Sequence, residues 1–211
     1  MNSLGKQTLA GLRILLALTV LTGVLYPLGI WVVSRIPGLQ GNAEGSQVTV
    51  DGQVVGSDLI GIDPTAADPK ADPWFHTRPS AAALDLDGDG SADALGPADP
   101  SISMGSNKGA FDEDLVAVIG RRRQAIAERE GVEPDQVPAD AVTASASGLD
   151  PHISPAYAAL QVPRVARETG VSEDQVRALI EEHTDGRGLG VLGEPGVNVL
   201  DLNLAVQAAA R

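Results

Sequence analysis

The chain has 211 residues, 43% of them apolar, with a formal net charge of −13 and no cysteine. That length admits a membrane anchor plus one domain of ordinary size. The missing cysteines exclude thiol catalysis, disulfides and thiolate metal sites, and the acidic balance argues against nucleic acid or anionic lipid as a partner.

From Ile14 to Val33 the chain runs 20 residues without a charge, ILLALTVLTGVLYPLGIWVV. As a helix this segment spans about 30 Å, the thickness of the hydrocarbon core of a bilayer. Gly23, Gly29 and Pro27 are tolerated in such helices, with a kink expected at Pro27. Lys6, Arg13 and the N-terminal amine precede the run; only Arg35 follows closely, and the next basic residue is Lys70. The positive-inside rule then predicts residues 1–13 in the cytoplasm, 14–33 across the membrane and the remainder outside. The run is too long for a signal-peptide core and IPGLQGNAEG lacks a small-x-small site, so the anchor is expected to stay uncleaved. Beyond the span, 13 basic residues face 28 acidic ones, a net −15.

Residues 34–46 read as a Gly-rich linker and 47–211 as a single water-soluble domain outside the cytoplasm. Val48 and Val50 alternate with polar residues, Asp51-Gly52 is a turn pair and Val54-Val55 return, which predicts a hairpin. Residues 63–110 hold most of the Pro, Gly and Asp. A loop that long is unusual in a compact domain, and part of it is expected to wrap around a partner. Phe111, Leu115, Ile119 and Ile126 recur on one face of a helix from 111 to 130, with Asp112, Glu113 and Asp114 suiting its N-terminus. Ser154-Pro155 is a cap followed by proline at the first helical position, opening a helix through Leu160 that Pro163 should interrupt or kink. Ser172-x-x-Gln175 is a capping box for a helix through about His183, with Val176, Leu179 and Ile180 inward. Val197 to Val199 is a short strand candidate and Leu202 to Ala210 a final helix. One N-terminal transmembrane helix followed by a mixed α+β domain is the predicted fold.

Catalytic chemistry is sparse. His76, His152 and His183 form no H-x-x-x-H pair, Ser145 lies between two alanines with no G-x-S-x-G elbow, and Lys108 lacks the frame of a Walker loop. The chain is therefore expected not to be an enzyme. Scattered Ser, His and Asp are the whole case for a hydrolase. Arg121-Arg122-Arg123 reads as the solvated face of a helix. Asp85, Asp87 and Asp89, with Gly90 and Asp93, match the opening of an EF-hand calcium loop, but Gly96 stands where the bidentate Glu belongs. The alternative reading this motivates is a membrane-tethered, extracytoplasmic, calcium-dependent binding module with weak affinity.

The most informative stretch is VTASASGLDPHISPAYAALQVPRVA, Val142 to Ala166. Its small hydroxyl residues allow close backbone approach and local hydrogen bonds, so physics alone gives a tight loop leading into a capped helix. Further quoted patterns are Gly56-Ser57-x-Leu59-Ile60-Gly61, Trp74-Phe75-His76-x-Arg78-Pro79-Ser80, Gly105-Ser106-Asn107 and Val197-Asn198-x-x-x-Leu202-Asn203. With one N-terminal membrane helix ahead of them, they make the chain resemble the C subunit of the bacterial Kdp potassium-transporting ATPase over nearly its whole length. Ile62 stands where that family usually has Gln, and Leu84 to Ser103 is unusually acidic.

The resemblance implies a non-catalytic accessory subunit of an ATP-driven, high-affinity K⁺ uptake complex in the cell membrane. Its implied partners are the channel-like A subunit, the P-type ATPase B subunit and the small F subunit. ATP and K⁺ would be used by the complex, with no cofactor held by this chain. The family is described as raising the ATP affinity of the B subunit. The predicted topology keeps cytoplasmic ATP away from residues 36–211, which favours a role in assembly or as a cover over the K⁺ entrance. Arg78, Ser106, Asn107, Thr143, Ser145, Ser147, Gly148, Asp150, Gln161 and Arg164 are the residues expected to serve as partner contacts or as a structural motif.

Overall fold

A computed structural model describes residues 3–85 and 95–211. The chain divides into two compact units, Met1–Gln47 and Val48–Arg211.

The first unit is dominated by one helical rod, Ser3–Ser34, long and apolar enough to cross a membrane and with none of its most apolar window buried. At 1.5 Å per residue the rod measures about 48 Å, so its first turns, with Lys6 and Arg13, extend beyond a hydrocarbon core of about 30 Å. It consists of α1 (Ser3–Val20), a π-helical turn (Leu21–Leu25) and α2 (Tyr26–Ser34). The π turn answers the expected kink. Pro27 carries no N–H and its ring crowds the carbonyl four residues back, so the ladder widens and the Tyr26 N–H donates five residues back to the Leu21 carbonyl. At the rod's end the Arg35 guanidinium lies 5.5 Å from the Trp31 ring centroid and pairs with Glu44 at 2.8 Å. The linker is not bare coil: it contains one helical turn, α3 (Gln40–Ala43).

The predicted hairpin follows, β1 (Gln47–Val50) and β2 (Gln53–Ser57), and all of it after Gln47 belongs to the second unit. Asp51 and Gly52 have φ of 51° and 79°, the paired left-handed residues of a two-residue hairpin turn. Next comes α4 (Glu113–Glu130), N-capped by the Asp112 carboxylate on the Leu115 N–H and stopped by left-handed Gly131. Phe111 falls outside this helix and is fully exposed, contrary to the inward position expected of it. The Asp112 cap starts the helix after Phe111, and the inward stripe begins at Leu115. The arginine triplet also divides: Arg121 and Arg123 are exposed, but Arg122 is buried and reaches the Val142 carbonyl. Burial, and then the like charge of Arg121, lower the Arg122 pKa.

A 3₁₀ turn (Pro134–Gln136), α5 (Ala139–Val142) and β3 (His152–Ile153) lead into α6 (Pro155–Thr169), the central helix. The helix packs against α4, against α7 (Glu173–Glu182) and against β5 (Gly196–Asn198). Ser154 caps α6 as expected, but the helix runs unbroken through Pro163. Pro163 lies on its exposed face, where water can satisfy the carbonyl that the missing N–H leaves free. β5 is the middle strand of a three-stranded antiparallel sheet in the order β3-β5-β4, with β4 at Thr184–Asp185. It passes directly into α8 (Val199–Ala209), where Asn198 caps the N–H groups of Leu200 and Asp201. Tyr157, Val162, Val165, Ile126, Val176, Val197 and Leu202 meet in one core with Phe75.

Candidate functional site

Phe75 comes from residues 72–80, an extended strap without helix or strand that crosses this core. Within the 63–110 region this stretch wraps around its own domain. Buried backbone groups must find partners, and here side chains supply them in place of a neighbouring strand. Asn203 of α8 accepts from the Phe75 N–H at 2.8 Å and donates to the Phe75 carbonyl at 2.9 Å. Gln161 of α6 does the same for His76, accepting at 2.9 Å and donating at 3.3 Å. Arg164, one turn further along α6, donates to the carbonyls of Asp72 and Trp74 at 2.7 and 2.9 Å.

The charges behind the strap form one connected set. The Glu130 carboxylate, wholly buried at the end of α4, accepts from Arg164 Nε and Nη2 at 3.0 and 3.1 Å and from Arg129 Nε at 2.7 Å. Arg129 also donates to the Tyr157 hydroxyl at 2.9 Å. Burial works against the Arg129 charge, yet Tyr157 and Glu130 more than offset it and raise its pKa; burial likewise raises that of Tyr157. On the other side, Asp72 lies 3.4 Å from Arg164 and 2.5 Å from His76 Nε2, while Asp63 meets His76 Nδ1 at 2.9 Å. Both ring nitrogens of His76 are thus engaged by carboxylates. A cavity of about 560 Å³ adjoins this end, walled by Pro64, Leu95 and Pro97 and reached by Asp63, His76 and Arg129.

Asp72 gives this network a pH dependence. Burial by itself would raise its pKa, but bonds from His76 and the Trp74 N–H, with the His76 and Arg164 charges, hold it below the ordinary 3.8. An acid depressed in the folded state stabilises the fold above its unfolded pKa and loses that contribution as pH falls through the folded one. Melting of the full chain in detergent should therefore drop on acidification below about pH 4. Asp72→Asn should melt lower at neutral pH and lose less on acidification. Parallel melting curves for the two proteins down to pH 2 would show that Asp72 carries no such linkage.

The strap's far end joins the small-residue loop. Arg78 donates to Asp150 at 3.0 Å and, at longer range, to the carbonyls of Thr143 and Ala144 and to the Thr143 hydroxyl. The Pro79 carbonyl accepts from the Ser145 N–H at 3.0 Å. The Ser145 hydroxyl is buried, 3.1 Å from that of Ser147, and accepts from the Gly148 N–H rather than approaching a histidine. Gly148 has φ of 74°, and a Cβ on it would lie 2.7 Å from the Met104 carbonyl oxygen. Glycine is what allows residues 103–105 to lie against this loop, where Ser103 donates to the Ser147 carbonyl at 3.0 Å.

Of the residues singled out from sequence, Gln161 and Arg164 are 0% and 4% exposed and Ser145 and Gly148 are also buried. Arg78, Thr143 and Asp150 are half-buried and bonded within the domain, whereas Ser106, Asn107 and Ser147 are exposed. The structure brings Arg78, Thr143, Ser145, Ser147, Gly148 and Asp150 together at one end of the strap, and Gln161 and Arg164 at the other. Asp63, Asp72, Glu130 and Arg129 join the same network with no motif in the sequence to mark them, while Asn203, from the quoted Val197–Asn203 pattern, clamps Phe75 beside them. Asp87 and Asp89 lie outside the described residues. Asp85 is exposed, and among the described residues no group of three His, Asp or Glu is arranged to hold a metal ion.

Comparison with known proteins places this geometry in a family. The family described as "K+-transporting ATPase, c chain" (KdpC) matches residues 8–208. A "Potassium-transporting ATPase KdpC subunit" of Kineococcus radiotolerans is 46% identical over 210 residues, covering 100% of this chain and 97% of that protein. The protein of the same name from Mycobacterium bovis is 46% identical over 202 residues, 95% of this chain and 97% of its own length. That of Streptomyces avermitilis is 42% identical over 211 residues, 94% of this chain and 91% of its own. With a family match over residues 8–208 and relatives 46% identical across nearly the whole length, the chain belongs to the KdpC family, the c chain of the K⁺-transporting ATPase.

Proposed function

We propose that this chain is a non-catalytic accessory subunit that supports assembly of an ATP-driven K⁺ uptake complex from outside the cytoplasm. The observation that carries this reading is the way its polar motif residues are used. Gln161, Arg164, Arg78 and Asp150 satisfy backbone groups and buried charges, as in a rigid docking body, and His76 is held at both nitrogens. The implied partners are the channel-like A subunit, the P-type ATPase B subunit and the small F subunit. Lys6 and Arg13 ahead of the apolar rod favour a cytoplasmic N-terminus, with residues 34–211 on the other side. From there any effect on ATP affinity of the B subunit is transmitted through assembly rather than by touching ATP. Ser106, Asn107 and Ser147, exposed on loops that lie against each other, belong to the contact surface, whereas the buried members of the motif shape it. The net −15 beyond the rod also concentrates cations near an entrance, over a range that screening limits to about 8 Å at physiological salt.

One fusion tests both parts of this reading. A reporter joined after Arg211 of the full chain, co-expressed with the other subunits, should be active only outside the cytoplasm. Pulled down from solubilised membranes, it should retrieve a K⁺-stimulated ATPase. Cytoplasmic reporter activity would overturn the orientation, and a pull-down free of ATPase would overturn the subunit assignment.

A further inference from the structure

The loop between β4 and β5 ends in an apolar tip held out into solvent: Leu189, Val191 and Leu192 are 93%, 73% and 62% exposed. The tip is tied at its base. Gly188 and Leu192 exchange backbone hydrogen bonds at 2.8 Å in both directions, and the Val191 N–H donates to the Gly188 carbonyl at 3.1 Å. Arg187 and Glu194 close the loop below at 2.6 Å. Leu189 and Gly190 have φ of 52° and 79°, the two left-handed central positions of a type I′ turn. Such turns favour Asn, Asp or Gly at the first of these positions. Leucine there strains the backbone and at the same time sets a large apolar side chain in water. Two local rules broken at one residue mark a place where the gain lies outside the fold.

We propose that this tip is a docking peg: Leu189, with Val191 and Leu192, enters an apolar recess with a basic rim on another subunit of the K⁺-transporting ATPase. The proposal rests on the subunit reading above and adds the surface through which it acts. The collar of the peg is acidic. Asp58, Glu182, Asp185 and Asp201 line one pocket at its base with His152 and His183, Asp185 lies 3.4 Å from His152, and the loop's one arginine, Arg187, is taken by Glu194. That collar repels an anionic bilayer surface and complements a basic rim. A second copy of the chain is a poor occupant. Three side chains cover far less than the roughly 1,000 Å² that a stable interface needs, and two acidic collars would oppose each other. Inside a larger subunit contact, a rigid apolar peg has the character of a hot spot.

The test uses the full chain co-expressed with the other ATPase subunits, with Leu189 replaced by benzoylphenylalanine and the membranes irradiated. The expected product is an adduct between this chain and another subunit of the ATPase. Adducts only to lipid, only to a second copy, or none at all would overturn the proposal. Leu189→Asn supplies the second arm, since asparagine suits the turn. Its melting should be unchanged or raised, while its affinity for the rest of the complex in detergent falls by about tenfold or more, a hot-spot loss. Wild-type affinity in Leu189→Asn would also overturn the peg. Failure of the wild-type chain itself to retrieve the ATPase would instead remove the subunit reading on which the peg depends.

Discussion

Arg164→Ala should destabilise the Val48–Arg211 unit by about 3–5 kcal/mol, the range for breaking a buried charge network by removing one partner. The side chain is 4% exposed and makes five hydrogen bonds, to Glu130 twice, to Gln161 and to the carbonyls of Asp72 and Trp74. Glu130 would keep Arg129, and Asp72 would keep His76, so neither carboxylate is stripped of every partner. The two strap carbonyls lose their donor outright, and the deleted stem leaves a cavity beside Gln161. Arg164→Met, which restores most of the volume and none of the donors, should recover only the packing part. Arg164→Lys keeps the charge but cannot span the strap and Glu130 together, because an ammonium lacks the planar fork. Denaturant unfolding of the full chain in detergent measures all three. A loss below about 1 kcal/mol for Arg164→Ala would mean that the network is not holding the strap. Normal melting with failed assembly would move Arg164 from the interior to the docking surface.

What was legible in the sequence was local. Ser154-Pro155, Ser172-x-x-Gln175 and Asp51-Gly52 each carry their own hydrogen-bond logic within four residues, and the structure places a cap, a capping box and a left-handed turn at those sites. The strap was not legible, because its partners are distant in the chain. His76 meets Gln161 across 85 residues and Phe75 meets Asn203 across 128. Periodicity finds apolar stripes and is silent on which amide will replace a missing strand. A signal was present nonetheless. Gln161 and Arg164 interrupt the buried stripe of α6 beside Val162 and Val165, and Asn203 does the same in α8 between Leu202 and Val206. A long polar residue inside an apolar stripe has to be bonded to something buried. Pro163 does not interrupt α6, because the rule for proline weighs the lost bond without asking which face the carbonyl occupies. Phe111 misled because the apolar repeat extended one step past the Asp112 cap. The strained, exposed Leu189 could not be read at all, since neither its turn nor its exposure is encoded in hydropathy.

Gly61→Ala should be the most disruptive single-methyl change in the second unit. A Cβ at this position would lie 2.3 Å from the Asp150 carbonyl oxygen and 2.8 Å from its carbon, closer than side chains ever approach backbone. Nothing flexible stands in the way that could rotate aside; one backbone or the other must move. The Gly61 N–H donates to the Leu149 carbonyl at 2.8 Å, so separation breaks the bond joining the segment after β2 to the small-residue loop. It also pushes on Asp150, whose carboxylate holds Arg78 at 3.0 Å and the His152 N–H at 3.0 Å where β3 begins. Overpacking of this kind costs about 1–3 kcal/mol and more where only backbone can yield. An expected loss of about 3 kcal/mol would exceed that of Gly131→Ala, where a Cβ meets nothing within 4 Å and the cost is confined to a left-handed helix cap. The two variants should also differ in kind. Gly61→Ala should loosen Arg78 and expose the strap to amide hydrogen exchange at Thr77, whose N–H donates to Asp63 at 3.0 Å, while Gly131→Ala should leave that amide protected. Equal protection in both variants would mean that the hairpin segment and the strap are not coupled through Asp150, and that the small-residue loop is held by the strap alone.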